Sequence, residues 1–250
     1  MLVTVSSECF SHLPLDSAFQ KLIDLEFSTV EIAIHEHQNH LRPSQVHENL
    51  TEAIVTCQNT RRLDVVAYSF DSPVDFPLYL EQFESVCRLA RATKVATLIV
   101  RSSELGTPFN EEVERLKQLV QIGSKDGVRV SVHNEVGRMS EDPDTLMVLC
   151  NNIEELGVCL DPSHYICHPK GPQNYEKLIP YVHHVRLRDT TKKELQVKIG
   201  KGIVDYGHLV TLLRQENYQG ALSIHQIPLP NTDHMAEMRK LRLLIESLML

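Results

Sequence analysis

The chain has 250 residues, 42% hydrophobic and 23% charged, so it can bury a sizeable core, and no shift in composition marks a second domain. Its formal charge of −8 and its lack of a Lys/Arg stripe exclude a phosphate-backbone partner, so no nucleic acid is expected. No apolar run approaches membrane-spanning length and the start MLVTVSSECF reads as a strand, so neither a membrane span nor a leader is expected.

In chain order, short β-rich runs alternate with helical patterns. Strand Leu2–Ser6 precedes a helix near 15–26, Thr29–His35 one near 43–59, Leu63–Ser69 one near 76–93, and Ala96–Arg101 one near 110–124. Val128–Glu135 follows with a helix near 143–156, then Val158–Asp161 with one near 175–182. His184–Arg188 leads to a helix near 206–217, and Ala221–Ile227 to a last helix from about 232 onward. Asp142-Pro143, Thr107-Pro108 and Pro77 after Asp75 are helix-start signals. Leu241, Leu244, Ile245 and Leu248 make a stripe that packs the last helix on the body, while a homo-oligomer stays open. Eight strand–helix units with parallel crossovers close as an α/β (β/α)₈ TIM barrel, one domain over 1–250. Cys9, Cys57, Cys87, Cys150, Cys159 and Cys167 lack a C-x-x-C pair, which reads as reduced thiols in a cytoplasmic protein.

Side chains alternate along each strand, so the apolar members fix which residues face inward. Val130 and Val132 face the helices, turning His133 and Glu135 inward; Val185 and Leu187 do the same for His184, Arg186 and Arg188. Leu222 and Ile224 leave His225 inside, Leu160 leaves Asp161, and Val30, Ile32 and Ile34 leave Glu31 and His35. Arg101 ends the inward face of the fourth strand. A barrel filled only for packing would not gather so many ionisable groups. Strand tips at the carboxyl end are where such barrels keep their chemistry.

LDPSHY (160–165), HHVRLRD (183–189), GKGIVDY (200–206), GALSIHQ (220–226) and VEIAI (30–34) resemble the xylose isomerase-like barrels, the sugar phosphate isomerase/epimerase group whose superfamily includes endonuclease IV. The resemblance is best over 128–227. It implies a metal held by a Glu on strand five, the Asp of Asp-x-x-His on strand six, a His on strand seven and a Glu on strand eight. Only the second is kept, as Asp161; His133, Arg186 and His225 stand at the other three positions. His164 matches the family's substrate-contacting histidine. An arginine about 4 Å from a dication costs roughly 8 kcal/mol at an effective dielectric near 20. A good zinc site has only ~10–16 kcal/mol of apparent binding energy. The leading expectation is therefore no cofactor, with Arg186 paired to Asp161 in the metal's place. A Zn²⁺ site from Asp161, His133 and His225, with His164 or His184, is the alternative; Mn²⁺ or Mg²⁺ finds too few oxygens.

The resemblance implies isomerisation or epimerisation of a small sugar, sugar acid or sugar phosphate through an enediolate. Ordinary pKa values near 6.5 would make His133 and His225 base and acid, with Arg186 steadying the oxyanion and His164 touching substrate. Glu31, His35, Arg101, Glu135, His184 and Arg188 complete the candidate substrate pocket, and Arg101, Arg186 and Arg188 point to an anionic carbohydrate. Glu31 can also be read as a loop anchor, and Glu135 as a stand-in for the missing carboxylate. A second reading is a non-catalytic carbohydrate-binding barrel; an endonuclease IV-like hydrolase lacks its carboxylate-rich zinc site and basic groove. His37, His40 and His47 read as solvated, Lys198 and Lys201 as flanking a flexible loop, Gly200 and Gly202 as backbone-enabling, and Asp205 as a helix cap.

Overall fold

The computed structural model describes residues 1–250. Eight strands, β1 (Leu2–Ser6), β2 (Thr29–His35), β3 (Asp64–Asp71), β4 (Thr97–Arg101), β5 (Arg129–His133), β6 (Gly157–Leu160), β7 (Val182–Leu187) and β8 (Ala221–Ile224), pair in parallel and close in sequence order. Around them run α1 (Leu15–Asp24), α2 (Pro43–Glu48), α3 (Leu50–Gln58), α4 (Phe76–Thr93), α5 (Phe109–Lys125), α6 (Pro143–Asn152), α7 (Pro162–Ile166), α8 (Tyr206–Gln215) and α9 (His234–Met249). This is the (β/α)₈ barrel the alternation predicts. No helix is long and apolar enough to cross a membrane.

Outward residues such as Val30, Ile32, Val130, Val132, Val185 and Leu222 fill the layer between sheet and helices. Inside, a small apolar floor of Ala67, Ile99 and Cys159 separates the lower barrel from the polar tips. Two register shifts aim the tips. Val158 and Cys159 face Val182 and His184, so His183 is the extra residue of a bulge on β7. Its ring occupies the space beside Gly157, where a Cβ would stand 2.0 Å from Nδ1. The bulge sets the parity that sends His184, Arg186 and Arg188 inward. The second shift, between Val30 and Glu31, makes Val66 the extra residue on β3 beside the buried Glu31.

Several boundaries differ from the pattern for local reasons. The single helix near 43–59 breaks at Asn49, whose Oδ1 accepts from the Glu52 amide at 3.2 Å and caps α3. The helix near 175–182 is a 3-10 turn (Glu176–Tyr181) containing Pro180, which has no N–H to continue an α-helix. β5, β6, β7 and β8 stop at His133, Leu160, Leu187 and Ile224, so Glu135, Asp161, Arg188 and His225 sit just beyond the sheet. Asp205 caps α8 through the His208 amide at 2.8 Å, as the sequence indicates. Gly200 has φ +83, whereas Gly202 is required by space: its Cβ would lie 1.9 Å from Asp189 Oδ1.

Candidate active site

The carboxyl ends of the strands surround a cavity of about 330 Å³. Glu8, His35, Arg101, His133, Glu135, His164, Arg186, Arg188 and His225 line it, while Asp161, Glu31 and His184 lie beneath.

Deepest is the Glu31 cluster. Glu31 Oε1 accepts from Arg186 Nε at 3.0 Å and from Nη2, and Oε2 meets His184 Nε2 at 2.8 Å. All three residues are buried. Burial works to raise the Glu31 pKa, but Arg186 and His184 outweigh it and hold the carboxyl well below its usual range. Arg186 therefore belongs to Glu31, and the expected Arg186–Asp161 pair does not form. Parity places Arg186 and Arg188 on the same face; their different heights along β7 decide which acid each can reach.

Asp161 is the hub of the next layer. Asn134 clamps its backbone, accepting from Asp161 N at 2.6 Å and donating to Asp161 O at 2.9 Å. Oδ1 caps α7, accepting from Ser163 N at 3.0 Å and from the Ser163 hydroxyl. Oδ2 accepts from Arg188 Nη2 at 2.8 Å. Arg188 Nη2 also bonds His225 Nδ1. Arginine has no acceptor, so Nδ1 carries the lone pair and the proton sits on Nε2, 3.0 Å from Glu8 Oε2. Glu8 Oε1 accepts from Gln38 Nε2 at 2.8 Å and lies 3.3 Å from His35 Nδ1. Arg188 is thus clamped between two acceptors, leaving its buried Nε without a partner.

His133 and His164 stand edge-on, ring centroids 5.3 Å apart, with Nε2 atoms 3.8 and 3.9 Å from Asp161 Oδ2. His164 Nδ1 accepts from Val136 N at 3.3 Å, which leaves its proton on Nε2. His133 Nε2 is buried without a hydrogen-bond partner. At the rim, Arg101 donates to both Glu135 oxygens and, at 3.1 Å, to Asp71, holding the Glu135 pKa down at about 2 against the upward pull of its burial.

The imidazoles do not keep ordinary pKa values, contrary to the expectation from sequence. Burial pushes His133 down, and it drives His164 to about 3 and His225 to about 4, with Arg188 adding to the effect on both and Arg186 on His225. All three rings are neutral at pH 7. In the unfolded chain they titrate near 6.5, so between those values the unfolded state binds more protons and stability falls as pH falls. His225 alone contributes roughly 3 kcal/mol by this linkage. Asp161 and Glu8, held well below their usual range although burial opposes it, add stability that is lost only at lower pH, as they protonate. Urea unfolding should show stability starting to drop between about pH 6.5 and 5, before carboxylates titrate. A flat profile above pH ~5 would contradict the neutral rings.

The residues do not fit the dication that the family resemblance implies. His133, Asp161 and His164 offer ligand atoms within 4.8 Å of one another. Yet Oδ1 of Asp161 is engaged by Ser163, Oδ2 by Arg188, and His164 Nε2 is protonated. His225 and His184, named for the zinc alternative, are tied to Arg188 with Glu8 and to Glu31. Glu8 and Asn134 are the functional candidates that parity did not supply. Glu8 lies two residues beyond inward Ser6, so extending the alternation past β1 would have found it. His40, read as solvated, is buried with Nδ1 3.1 Å from Ser7 Oγ; His37 and His47 are exposed.

No curated protein matches this chain in sequence. Solved structures share the fold: a D-tagatose 3-epimerase-like protein (17% identity, TM-score 0.74, 100% of both chains) and 3-keto-D-glucoside 4-epimerase from E. coli (14%, 0.75, 99% of both). A xylose isomerase-like TIM barrel protein from Mycobacterium smegmatis, in complex with magnesium, has 12% identity and a TM-score of 0.79 over 99% of this chain and 96% of that one. The sequence model of one family, described as xylose isomerase-like TIM barrel, matches residues 19–244. By that match and by its closed eight-stranded barrel, the chain belongs to the xylose isomerase-like TIM-barrel family.

Proposed function

We propose that the protein is an isomerase or epimerase that moves a proton on the carbon next to the carbonyl of a small carbohydrate. The observation that carries this reading is that an imidazole, His133, standing beside Asp161, lines the same cavity as the guanidinium of Arg188. His133 removes the proton, and its imidazolium returns that proton, or a solvent deuteron exchanged for it, to the enediolate; Asp161 Oδ2, 3.8 Å away, steadies the charged ring in between. Arg188 faces the negative charge developing on the carbonyl oxygen. His164, protonated on Nε2, donates to a substrate hydroxyl. His225, first assigned as the acid, has both nitrogens engaged and instead orients Arg188.

The charge balance revises the substrate expected from sequence. Arg186 and Arg188 face Glu8, Glu31 and Asp161, and Arg101 faces Glu135 and Asp71, so the arginines leave no net positive field for an anion. A neutral ketose or keto-glycoside suits this pocket better than a sugar phosphate. The family and the epimerase names of its structural neighbours support the carbohydrate class. Six free thiols support a cytoplasmic setting. Incubation with neutral ketoses and keto-glycosides in D₂O should place deuterium next to the carbonyl. Binding without exchange would instead identify a carbohydrate-binding barrel.

A further inference from the structure

We infer that Arg188 closes a latent divalent-cation site made of His133, Asp161 and His164, and that removing its guanidinium opens that site. The inference concerns metal binding alone, so it stands or falls separately from the proposed reaction. Three potential ligand atoms lie within 4.8 Å of one another, close enough to share one ion after a small adjustment. The His133 nitrogen among them is buried and has no hydrogen-bond partner. Asp161 has a single oxygen available for a cation, because Ser163 holds the other through its amide and hydroxyl.

On that one oxygen sits Arg188, 2.8 Å away. The guanidinium already supplies the positive charge the carboxylate needs. It is also fixed from behind, since His225 accepts from the same Nη2 and Glu8 holds His225. A swing that would clear the carboxylate must break both links. No other carboxylate is free to compensate a dication here: Glu31 is engaged by Arg186 and His184, Glu135 by Arg101, and Glu8 by Gln38 and His225. With Arg188 gone, Asp161 Oδ2 is released. His133 then offers a lone pair, and His164 offers one if its ring gives up the bond to Val136. Two imidazoles and a carboxylate are a donor set suited to zinc.

The test is zinc titration of chelator-treated protein by calorimetry, with melting temperature followed in parallel. Wild type, Arg188→Ala, Asp161→Asn and the double variant Arg188→Ala/Asp161→Asn are compared. Arg188→Ala should gain one equivalent of zinc at least ~100-fold tighter than any wild-type binding, a change on the scale that shell residues exert. Zinc should raise its melting temperature, and Asp161→Asn should abolish both effects. One equivalent of zinc on wild type, lost in Asp161→Asn, would overturn the inference. So would a folded Arg188→Ala that gains no zinc. Arg188→Met, closer in volume, replaces alanine if that variant does not fold; if neither folds without metal, refolding on zinc addition supports the inference and failure to refold overturns it.

Discussion

Replacing Arg186 with methionine is expected to lower the melting temperature by about 10 °C, the largest stability loss from any single site residue. Removing the guanidinium leaves Glu31 charged, fully buried and bonded only to His184. Breaking a buried pair in this way costs roughly 3–5 kcal/mol, and in a chain of this size each kcal/mol moves the midpoint by about 2–4 °C. The cost comes from the stranded carboxylate, not from the worth of the pair. Glu31→Gln/Arg186→Met should therefore recover a large part of the loss. An exposed pair such as Arg88–Glu84, with both side chains about half accessible, should change stability by less than ~1 kcal/mol when broken. Calorimetry on Arg186→Met, Glu31→Gln/Arg186→Met and Arg88→Ala checks the ordering. A small effect for Arg186→Met would mean that Glu31 protonates or finds water, and that the deep cluster is not a rigid floor for the site.

Replacing His133 with asparagine should reduce solvent-proton exchange into substrate by about 10²–10⁴-fold, the usual range for a lost general base. His225→Asn should cost less, because His225 acts through Arg188 and only tunes its position. The pH dependence separates the two roles. Burial holds the His133 pKa below the ordinary histidine value, so the ring is a competent base through the whole neutral range. Exchange should be flat from about pH 7 upward and fall only as acid protonates the ring, below its usual titration near 6.5. In His133→Asn the residual rate should lose that acid limb. A wild-type profile that instead breaks near or above 7 would assign the base to another group.

Much of this site was legible in the sequence because alternation is a hard constraint. Once Val130, Val132, Val185, Leu187, Leu222 and Ile224 are assigned to the helix layer, His133, Arg186, Arg188 and His225 can only point inward. Alternation says nothing about height along the barrel axis. Arg186 and Arg188 share a face, and only the three-dimensional register shows that one reaches Glu31 and the other Asp161. The bulge at His183 is equally silent in the pattern, since an extra residue in one strand leaves no mark on composition. Glu8 escaped because it lies in a 3-10 turn after β1, where strand reasoning had stopped. The histidine pKa values depend on burial among fixed charges, which no local pattern encodes. Asn134 gives no signal of its own: its role is a pair of hydrogen bonds to the backbone of a residue far along the chain.

The central claim is that His133 and Arg188 carry out the proton transfer with no divalent cation between them. Deuterium incorporation into a turned-over ketose or keto-glycoside, followed by NMR before and after exhaustive chelation, tests it most directly. Exchange should persist at an unchanged rate in metal-stripped wild type and fall about 10²–10⁴-fold in His133→Asn. Loss of exchange on chelation, with recovery on adding zinc, manganese or magnesium, would contradict it.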